Sequence, residues 1–236
     1  PIPHIPDGFA YLYQAKLFSL GKLWATPPAL PEFFPAPWSV TLDGKVFSVF
    51  PPGWPILLSL GVKANAPWLI NPMLGALALW AMWHLWCELF DAKRANLALI
   101  LCALSPFFLF MSASFLSHSA SLLASSVFAL SFLKGIRKGS LRWGVLAGVA
   151  IGFHIVVRPI AALFVFVPMV SFFALFRRSR ASWKITACSL VGSGLGAAGY
   201  LGYNRLLVGA WGTPPLHFLS PANRYGFGPD IGLPWA

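Results

Sequence analysis

Two apolar segments of nearly equal length meet at an arginine–proline pair near the middle of this chain. The segments are Leu141–Val157 and Ile160–Phe176, and the pair between them is Arg158-Pro159. As a helix, each segment of about 17 residues would be about 26 Å long, close to the hydrocarbon thickness of a bilayer. The pattern predicts two membrane-spanning helices that fold back on each other, which no ordinary soluble domain would contain.

Cations on both far sides of this hairpin give it a predicted orientation. Short loops rich in Lys and Arg stay in the cytoplasm, so the tip with Arg158 is predicted to lie at the extracytoplasmic face. An arginine costs about 2.5–3.5 kcal/mol at mid-membrane and less near the interface, so we expect Arg158 to face a partner or a polar cavity. The flanking cations are Lys134, Arg137, Lys138 and Arg142 before the hairpin, and Arg177, Arg178, Arg180 and Lys184 after it.

Composition supports an integral membrane protein. The 236 residues are 58% hydrophobic and 10% charged, whereas charged residues make up about 25% of a typical soluble domain. The net charge of +11 does not indicate a nucleic-acid partner, because most of the cations fall in three short stretches between apolar segments. The three cysteines lie inside predicted spans, so a disulfide framework is not expected.

The apolar segments predict an all-α fold with about six transmembrane helices. Pro106 is expected to kink the outer third of the second span. Glycines at four-residue spacing, such as Gly144, Gly148 and Gly152, and a second set from Gly192 to Gly202, predict faces where helix backbones approach closely. The predicted spans are Trp68–Phe90, Ala95–Met111, Phe115–Leu133, Leu141–Val157, Ile160–Phe176 and Ile185–Leu206.

The segments outside this bundle are predicted to be extracytoplasmic. Residues 1–67 form a first loop with an interfacial helix over Phe9–Leu20, for which Asp7 is a candidate N-cap and Gly21 a candidate C-cap. Residues 68–206 form the bundle, and residues 207–236 form a second loop. We expect both ends to be truncated, with a further membrane helix upstream.

Few but mixed charges lie on the predicted outer side, which suits an anionic lipid headgroup beside a general base. Each candidate also has a structural explanation. Asp7 can be a helix cap, and Lys45 can be a residue of the Asp43-Gly44 turn. His118 can form a buried hydrogen bond between helices. His154, four residues before Arg158, shares its predicted helix face and can hold the guanidinium.

Several short motifs occur in order along most of the chain. Asp7 is followed by Tyr11, Ala15 and Gly21 in the first loop, and a proline-rich segment leads into the short apolar run Ile56–Val62. The remaining motifs are Phe50–Pro55, Ser105-Pro106, His118, Gly148, Gly152, Arg158-Pro159, Tyr203-Asn204, Gly209 and Pro214-Pro215.

Together these motifs resemble the GT-C glycosyltransferases, which are multi-spanning enzymes that use polyprenyl-phosphate sugars. The bacterial branch allied to protein mannosyltransferases, aminoarabinose transferases and lipopolysaccharide sugar transferases is the most similar. Two positions depart from that pattern. Gly8 stands where many members have Glu, and His118 stands roughly where relatives carry Asp or Glu.

The resemblance implies a glycosyltransferase in the bacterial inner membrane with its active face outside the cytoplasm. Its donor would be a polyprenyl-phosphate sugar, and its acceptor a hydroxyl of a glycan, lipid or protein. Asp7 would act as general base and Arg158 would bind the lipid phosphate, in a reaction that inverts the anomeric carbon. His118, His154, Lys45 and Arg224 complete the predicted donor-binding set.

Other functions stay open at this point. No cofactor is implied, although Asp7, Glu32 and Asp43 could contribute oxygens to a divalent cation such as Mg²⁺, Mn²⁺ or Ca²⁺; their spacing is not a metal motif. A transporter or lipid flippase would place ionisable groups near mid-membrane, where this sequence has few. A non-catalytic scaffold of the same fold is the third alternative.

Overall fold

The computed structural model describes Pro3 and residues 5–30, 36–176 and 180–219. The chain divides into two units, residues 1–67 with 201–236, and residues 68–200. Most of the described chain is helical. The elements are α1 (Pro6–Ser19), β1 (Ser39–Leu42), β2 (Lys45–Ser48), α2 (Gly53–Lys63), α3 (Pro67–Leu89), α4 (Ala92–Ala103), α5 (Pro106–Ala113), α6 (His118–Lys138), α7 (Leu141–Val157), α8 (Pro159–Phe176), α9 (Arg180–Val208) and a short 3₁₀ turn at Pro215–Phe218.

A two-stranded antiparallel sheet in the first unit corrects the all-α expectation. Strands β1 and β2 pair from Ser39 with Ser48 to Leu42 with Lys45. Asp43 and Gly44 join them with φ angles of 49° and 71°. Two consecutive positive φ angles match the type I′ turn that suits the strand twist, and Asp-Gly is among its preferred sequences. The turn at Asp43-Gly44 is therefore confirmed, and the strands beside it are the new finding.

Helix α1 ends at a glycine, as expected. Gly21 has φ 70°, its N–H bonds the carbonyl of Phe18 at 3.0 Å, and the N–H of Lys22 bonds the carbonyl of Leu17 at 2.9 Å. This pair of bonds is a Schellman motif, which satisfies two carbonyls that the helix leaves free. The C-cap itself is Leu20, one residue before the predicted Gly21.

The first unit has its own core around the sheet. Phe47 of β2 is fully buried, with Val40 of β1 and Val49 beside it. The C-terminal end of α9 contributes Tyr203 and Leu207 to the same cluster. The sheet is therefore stabilised by packing on one face, which an isolated hairpin in water would lack.

The helices of the second unit follow the predicted apolar segments, but the six-span count stays a prediction. Among the described helices, α6 and the Ser182–Val208 part of α9 are long and apolar enough to cross a membrane. Helices α4 and α5 together would be a third candidate span if they form one broken helix. Helix α7 and residues Pro159–Phe173 of α8 are shorter apolar helices.

The second predicted span is broken rather than kinked. Helices α4 and α5 are bent by 60° at a short break between Ala103 and Pro106. Ser105 lies in the extended region with φ −64° and ψ 123°, which is where the residue before a proline is confined. The predicted position of the bend at Pro106 is correct, but the change in helix direction is larger than the predicted kink.

Helices α6, α7 and α8 share the apolar core of the second unit. Phe128 and Phe132 of α6 are fully buried and pack with Ile151 of α7 and Ala162 of α8. The two phenylalanine rings lie 5.4 Å apart between centroids. Dispersion contacts of this kind supply much of helix association in lipid, where burial from water no longer contributes.

Glycines bring α7 and α9 into backbone contact, as their spacing predicts. A Cβ on Gly148 would lie 2.5 Å from the carbonyl oxygen of Cys188, and a Cβ on Gly192 would collide with the carbonyl of Gly148. Gly152 and Gly196 repeat this arrangement one turn further on. This row of contacts, the glycine seam, allows a close approach that any side chain would prevent.

The cations before the hairpin lie on a helix, not in a loop. Helix α6 continues to Lys138, and only Gly139-Ser140 separates it from α7. Glu88 at the end of α3 bonds Lys134 at 3.4 Å and Arg137 at 3.1 Å. Long cationic side chains can extend from a helix end toward water. Helix α6 can therefore continue past the end of its apolar segment.

The glycine seam gives a test with a matched control on one helix. Gly192→Ala should destabilise the protein by about 1–3 kcal/mol, because the new methyl overlaps the α7 backbone. Gly194→Ala should be neutral or stabilising by up to about 1 kcal/mol, because its Cβ meets nothing within 4 Å and alanine favours helix. Thermal unfolding in detergent compares the two, and equal effects would contradict the seam.

Candidate functional site

Asp7 lies in the first turn of α1 but does not cap the helix. The N-cap is Ile5, which makes no side-chain cap bond, and Pro6 occupies the first helical position. The cap interpretation is therefore wrong, because a proline at that position moves the helix start ahead of Asp7. Asp7 is half-buried, and within the described residues no hydrogen bond or ion pair engages its carboxylate.

Two contacts fix α1 in the first unit. The ring of Tyr11, one turn after Asp7, stacks on Phe50 with centroids 4.4 Å apart. Gln14 is fully buried, accepts a hydrogen bond from the Ser48 N–H at 2.9 Å, and donates to the Leu23 carbonyl at 2.8 Å. Both partners are main-chain groups of the segments around the hairpin, so Gln14 sets the position of the helix that carries Asp7.

Burial also affects a phenol on α1. Partial burial disfavours the charged phenolate and raises the pKa of Tyr13 above its usual value of 10.0. Tyr13 therefore remains a neutral hydrogen-bond donor through the physiological pH range.

Lys45 has a structural environment in the first unit. Its ammonium lies 4.5 Å from the ring centroid of Trp24 and donates to the Leu206 carbonyl at 3.4 Å. A cation at the C-terminal end of α9 is favoured by the free carbonyls and the helix dipole there. This geometry explains Lys45 without a ligand.

Arg158 lies at the break between α7 and α8. Its backbone has φ −149° and ψ 85°, and its N–H bonds the His154 carbonyl at 2.7 Å. Pro159 disfavours a helical conformation at the preceding residue, so Arg158 leaves the helix instead of continuing it. Its side chain is partly exposed, and no carboxylate pairs with it in the part of the chain that the structure describes.

Both ring nitrogens of His154 contact serines of α6. The histidine is fully buried, with Nε2 2.8 Å from the Ser121 hydroxyl and Nδ1 3.4 Å from the Ser125 hydroxyl. Ser125 donates its hydrogen to the Ser121 carbonyl at 2.9 Å, so Nδ1 must be the donor in its contact with Ser125. In a neutral ring Nε2 then accepts from Ser121. Arg158 is not helical, but it remains close enough to His154 for an electrostatic interaction.

His118 is half-buried and is the first residue of α6. The predicted span began at Phe115, which placed His118 about one turn inside the helix. The connection before it is held by Asn71 of α3, which is almost fully buried. The Asn71 amide nitrogen lies 3.0, 2.6 and 3.1 Å from the carbonyl oxygens of Met111, Ser114 and Leu116. Buried backbone carbonyls outside a helix need such partners, so Asn71 stabilises the segment that leads to His118.

The predicted residues fall into two groups. Asp7 and Lys45 belong to the first unit, and His118, His154 and Arg158 belong to the second. Arg224 and Glu32 lie outside the described residues. Within the described ranges, no three His, Cys, Asp or Glu side chains lie close enough together to hold a metal ion.

Comparison with known families shows which family this chain belongs to. The sequence profile of the dolichyl-phosphate-mannose-protein mannosyltransferase family matches residues 54–198, more than half of the chain. The chain belongs to this family. Neither the curated proteins nor the solved structures include a significant match.

Membership in the mannosyltransferase family confirms the GT-C resemblance and indicates a membrane glycosyltransferase. The matched region contains His118, His154 and Arg158, whereas Asp7 and Lys45 precede it. The family is membrane-integral, in agreement with the apolar helices of the second unit.

Three polar residues near these sites were not singled out from the sequence. Gln14, Asn71 and Ser121 are buried polar residues of helices that also carry many apolar residues, and each bonds a partner far away in the sequence. A polar residue in such a segment is the available signal, since burial without a partner is costly. The identity of the partner depends on tertiary packing.

Replacing Gln14 tests whether it holds α1. Gln14→Met keeps the volume but leaves the Ser48 N–H and the Leu23 carbonyl without their partner, at about 1–3 kcal/mol for each buried group. Ser19→Ala is the control on the same helix, because the Ser19 hydroxyl bonds only the nearby Lys16 carbonyl. Similar unfolding temperatures for the two variants would show that Gln14 does not anchor the helix.

The serine–histidine contact between α6 and α7 gives a second comparison. Ser121→Ala removes the 2.8 Å partner of His154 and should destabilise the protein by about 1 kcal/mol or more. Ser126→Ala on the same helix removes only a local bond to the Leu122 carbonyl and should have a smaller effect. Denaturant or thermal unfolding in detergent measures both, and a larger loss for Ser126→Ala would contradict this contact.

Proposed function

We propose that this protein transfers a sugar from a polyprenyl-phosphate donor to an acceptor hydroxyl at the extracytoplasmic face of the bacterial inner membrane. In this proposal about six spans over residues 68–206 form the membrane bundle. Residues 1–67 and 207–236 are the extracytoplasmic loops. The acceptor is a glycan, a lipid such as lipopolysaccharide, or a protein. The family match over residues 54–198 is the observation that carries the proposal.

Arg158 would bind the phosphate of the donor. It is a partly exposed guanidinium at a helix break, without a carboxylate partner among the described residues. A fixed guanidinium can bind two phosphate oxygens at once, and it stabilises negative charge strongly where water is scarce. The charge on the leaving phosphate grows as its bond to the sugar breaks, so the contribution of Arg158 is greatest in the transition state.

Asp7 would act as the general base. In the proposed step the acceptor oxygen attacks the anomeric carbon from the face opposite the phosphate, and its proton passes to the Asp7 carboxylate. The new carbon–oxygen bond forms as the bond to the phosphate oxygen breaks, and the bonding electrons leave with the lipid phosphate. The configuration at the anomeric carbon is inverted. A carboxylate with no internal partner among the described residues supports this role.

The other predicted residues take supporting parts. His154 is buried against α6, so we assign it to positioning the end of α7 before Arg158. His118, at the start of α6, and Arg224 remain proposed contacts to the donor. Lys45 is engaged by Trp24 and Leu206, and we assign it to the stability of the first unit.

Transfer from a polyprenyl-phosphate mannose by the full-length protein in proteoliposomes tests both roles. Asp7→Asn should lower kcat by about 10²–10⁴-fold, because it removes the base. Arg158→Ala should lower kcat/KM by about 10²–10³-fold, and Arg158→Lys should recover part of it, since lysine keeps the charge but not the bidentate geometry.

Matched controls come from the same chain. Asp43→Asn changes an exposed carboxylate in a turn where asparagine tolerates the positive φ, and Arg205→Ala removes an exposed arginine. Both should transfer at nearly the normal rate. Full activity in Asp7→Asn and Arg158→Ala would remove these two residues from the mechanism, and lipid translocation without transfer would favour a flippase instead.

A further inference from the structure

Three helix ends meet at the end of the second unit that lies opposite Arg158 along α7. Helix α6 ends at Lys138, α7 begins at Leu141 after two intervening residues, and α9 reaches the same place through Ile185. The Ile185 side chain lies 3.1 Å from where a Gly135 Cβ would be and 2.7 Å from where a Gly144 Cβ would be. Ile185 therefore packs into the junction of α6 and α7, and the first residues of α9 are held beside it.

Charges at this junction are not balanced. Glu88 pairs with Lys134 and Arg137, and Asp91 pairs with Arg94 at 3.0 Å. These are the only two carboxylates of the second unit. Lys138, Arg142 and Lys184 are exposed, and none of them forms an ion pair or side-chain hydrogen bond within the described ranges. We call these three cations the basic cluster.

Tryptophans accompany the basic cluster. Trp183 precedes Lys184 and is 57% exposed, and Trp143 follows Arg142 and lies 5.1 Å from the Lys134 ammonium. Tryptophan beside lysine and arginine at the ends of apolar helices is typical of the headgroup level of a bilayer. Basic residues between the ends of transmembrane helices bind anionic headgroups by charge and hydrogen bonding. A lipid therefore fits this surface better than a nucleic acid or an acidic protein.

We propose that Lys138, Arg142 and Lys184 bind the phosphate headgroup of an anionic phospholipid, such as phosphatidylglycerol. The three cations come from three different helices, so one bound phosphodiester connects α6, α7 and α9 in addition to the contacts of Ile185. The site is separate from the proposed donor site. Arg142 and Arg158 lie at opposite ends of α7, which is about 24 Å long between them.

Native mass spectrometry of the full-length protein released from nanodiscs of phosphatidylglycerol and phosphatidylcholine tests the proposal. The variant is Lys138→Gln/Arg142→Gln/Lys184→Gln. We expect it to retain at least threefold less phosphatidylglycerol per protein than the original chain, with phosphatidylcholine unchanged. Added phosphatidylglycerol should raise the unfolding temperature of the original protein in detergent but not that of the variant.

The control variant removes the same charge elsewhere. Lys16→Gln/Lys22→Gln/Lys63→Gln changes three exposed lysines of the first unit, and it should keep normal phosphatidylglycerol retention. Circular dichroism confirms that both variants keep their helix content. The assay needs no sugar transfer, so its result is independent of the proposed activity.

Two results would overturn the proposal. The first is equal loss of phosphatidylglycerol in both variants, which would mean that retention reflects net charge and not the basic cluster. The second is unchanged phosphatidylglycerol retention in the basic-cluster variant. If that variant also loses binding to an acidic peptide such as poly-glutamate, the surface is assigned to a protein partner.

Discussion

The backbone contact between α7 and α9 is the constraint on which the second unit depends. In lipid, apolar side chains gain little by leaving their surroundings, so helices associate through close packing and polar bonds. Gly148 and Gly192 allow the main chains to touch, and Gly152 and Gly196 repeat the contact. With α9 held against one side of α7, the other side is free to pack on α6 and α8 around Ile151. Helix α7 thus lies between two interfaces of different chemistry.

Polar side chains then set the details within this apolar frame. His154 joins α7 to α6 through Ser121, and Asn71 joins α3 to the connection before His118. Each bond forms where the alternative would be a buried donor or acceptor without water. The first unit contains a similar buried polar contact, because Gln14 bonds main-chain groups on two segments. These residues do not touch a substrate in the proposed reaction, yet they determine where Asp7 and Arg158 are held.

Much of the helical framework could be predicted from the sequence, because apolar length and flanking cations are local properties. The segments around Gly144–Gly152 and the ending of α1 near Gly21 followed from spacing and φ preference alone. The hairpin of β1 and β2 was missed, although Asp43-Gly44 between short alternating runs is its usual signal. The two strands are only four residues long, so their alternating pattern is a weak local signal.

The candidate site was less predictable. Helical periodicity placed His154 and Arg158 on one face, but the proline after Arg158 moves the Arg158 backbone out of the helical region. The cap assignment for Asp7 failed for a similar reason, since Pro6, the residue before Asp7, is already the first helical residue and Ile5 is the N-cap. In both cases a proline next to the charged residue decided the geometry. Asn71 and Ser121 depend on partners at least 33 residues away, which no local pattern encodes.

The helix break at Arg158 also has a consequence for the path of the chain. An unbroken helix from Leu141 to Phe176 would be about 54 Å long, nearly twice the hydrocarbon thickness of a bilayer. Such a rod could cross only once and would leave one end far out in water. Divided at Arg158, the same residues form two helices of about 26 and 27 Å, each close to the hydrocarbon thickness of a bilayer. In the proposed topology, the number of membrane crossings therefore depends on a single non-helical residue.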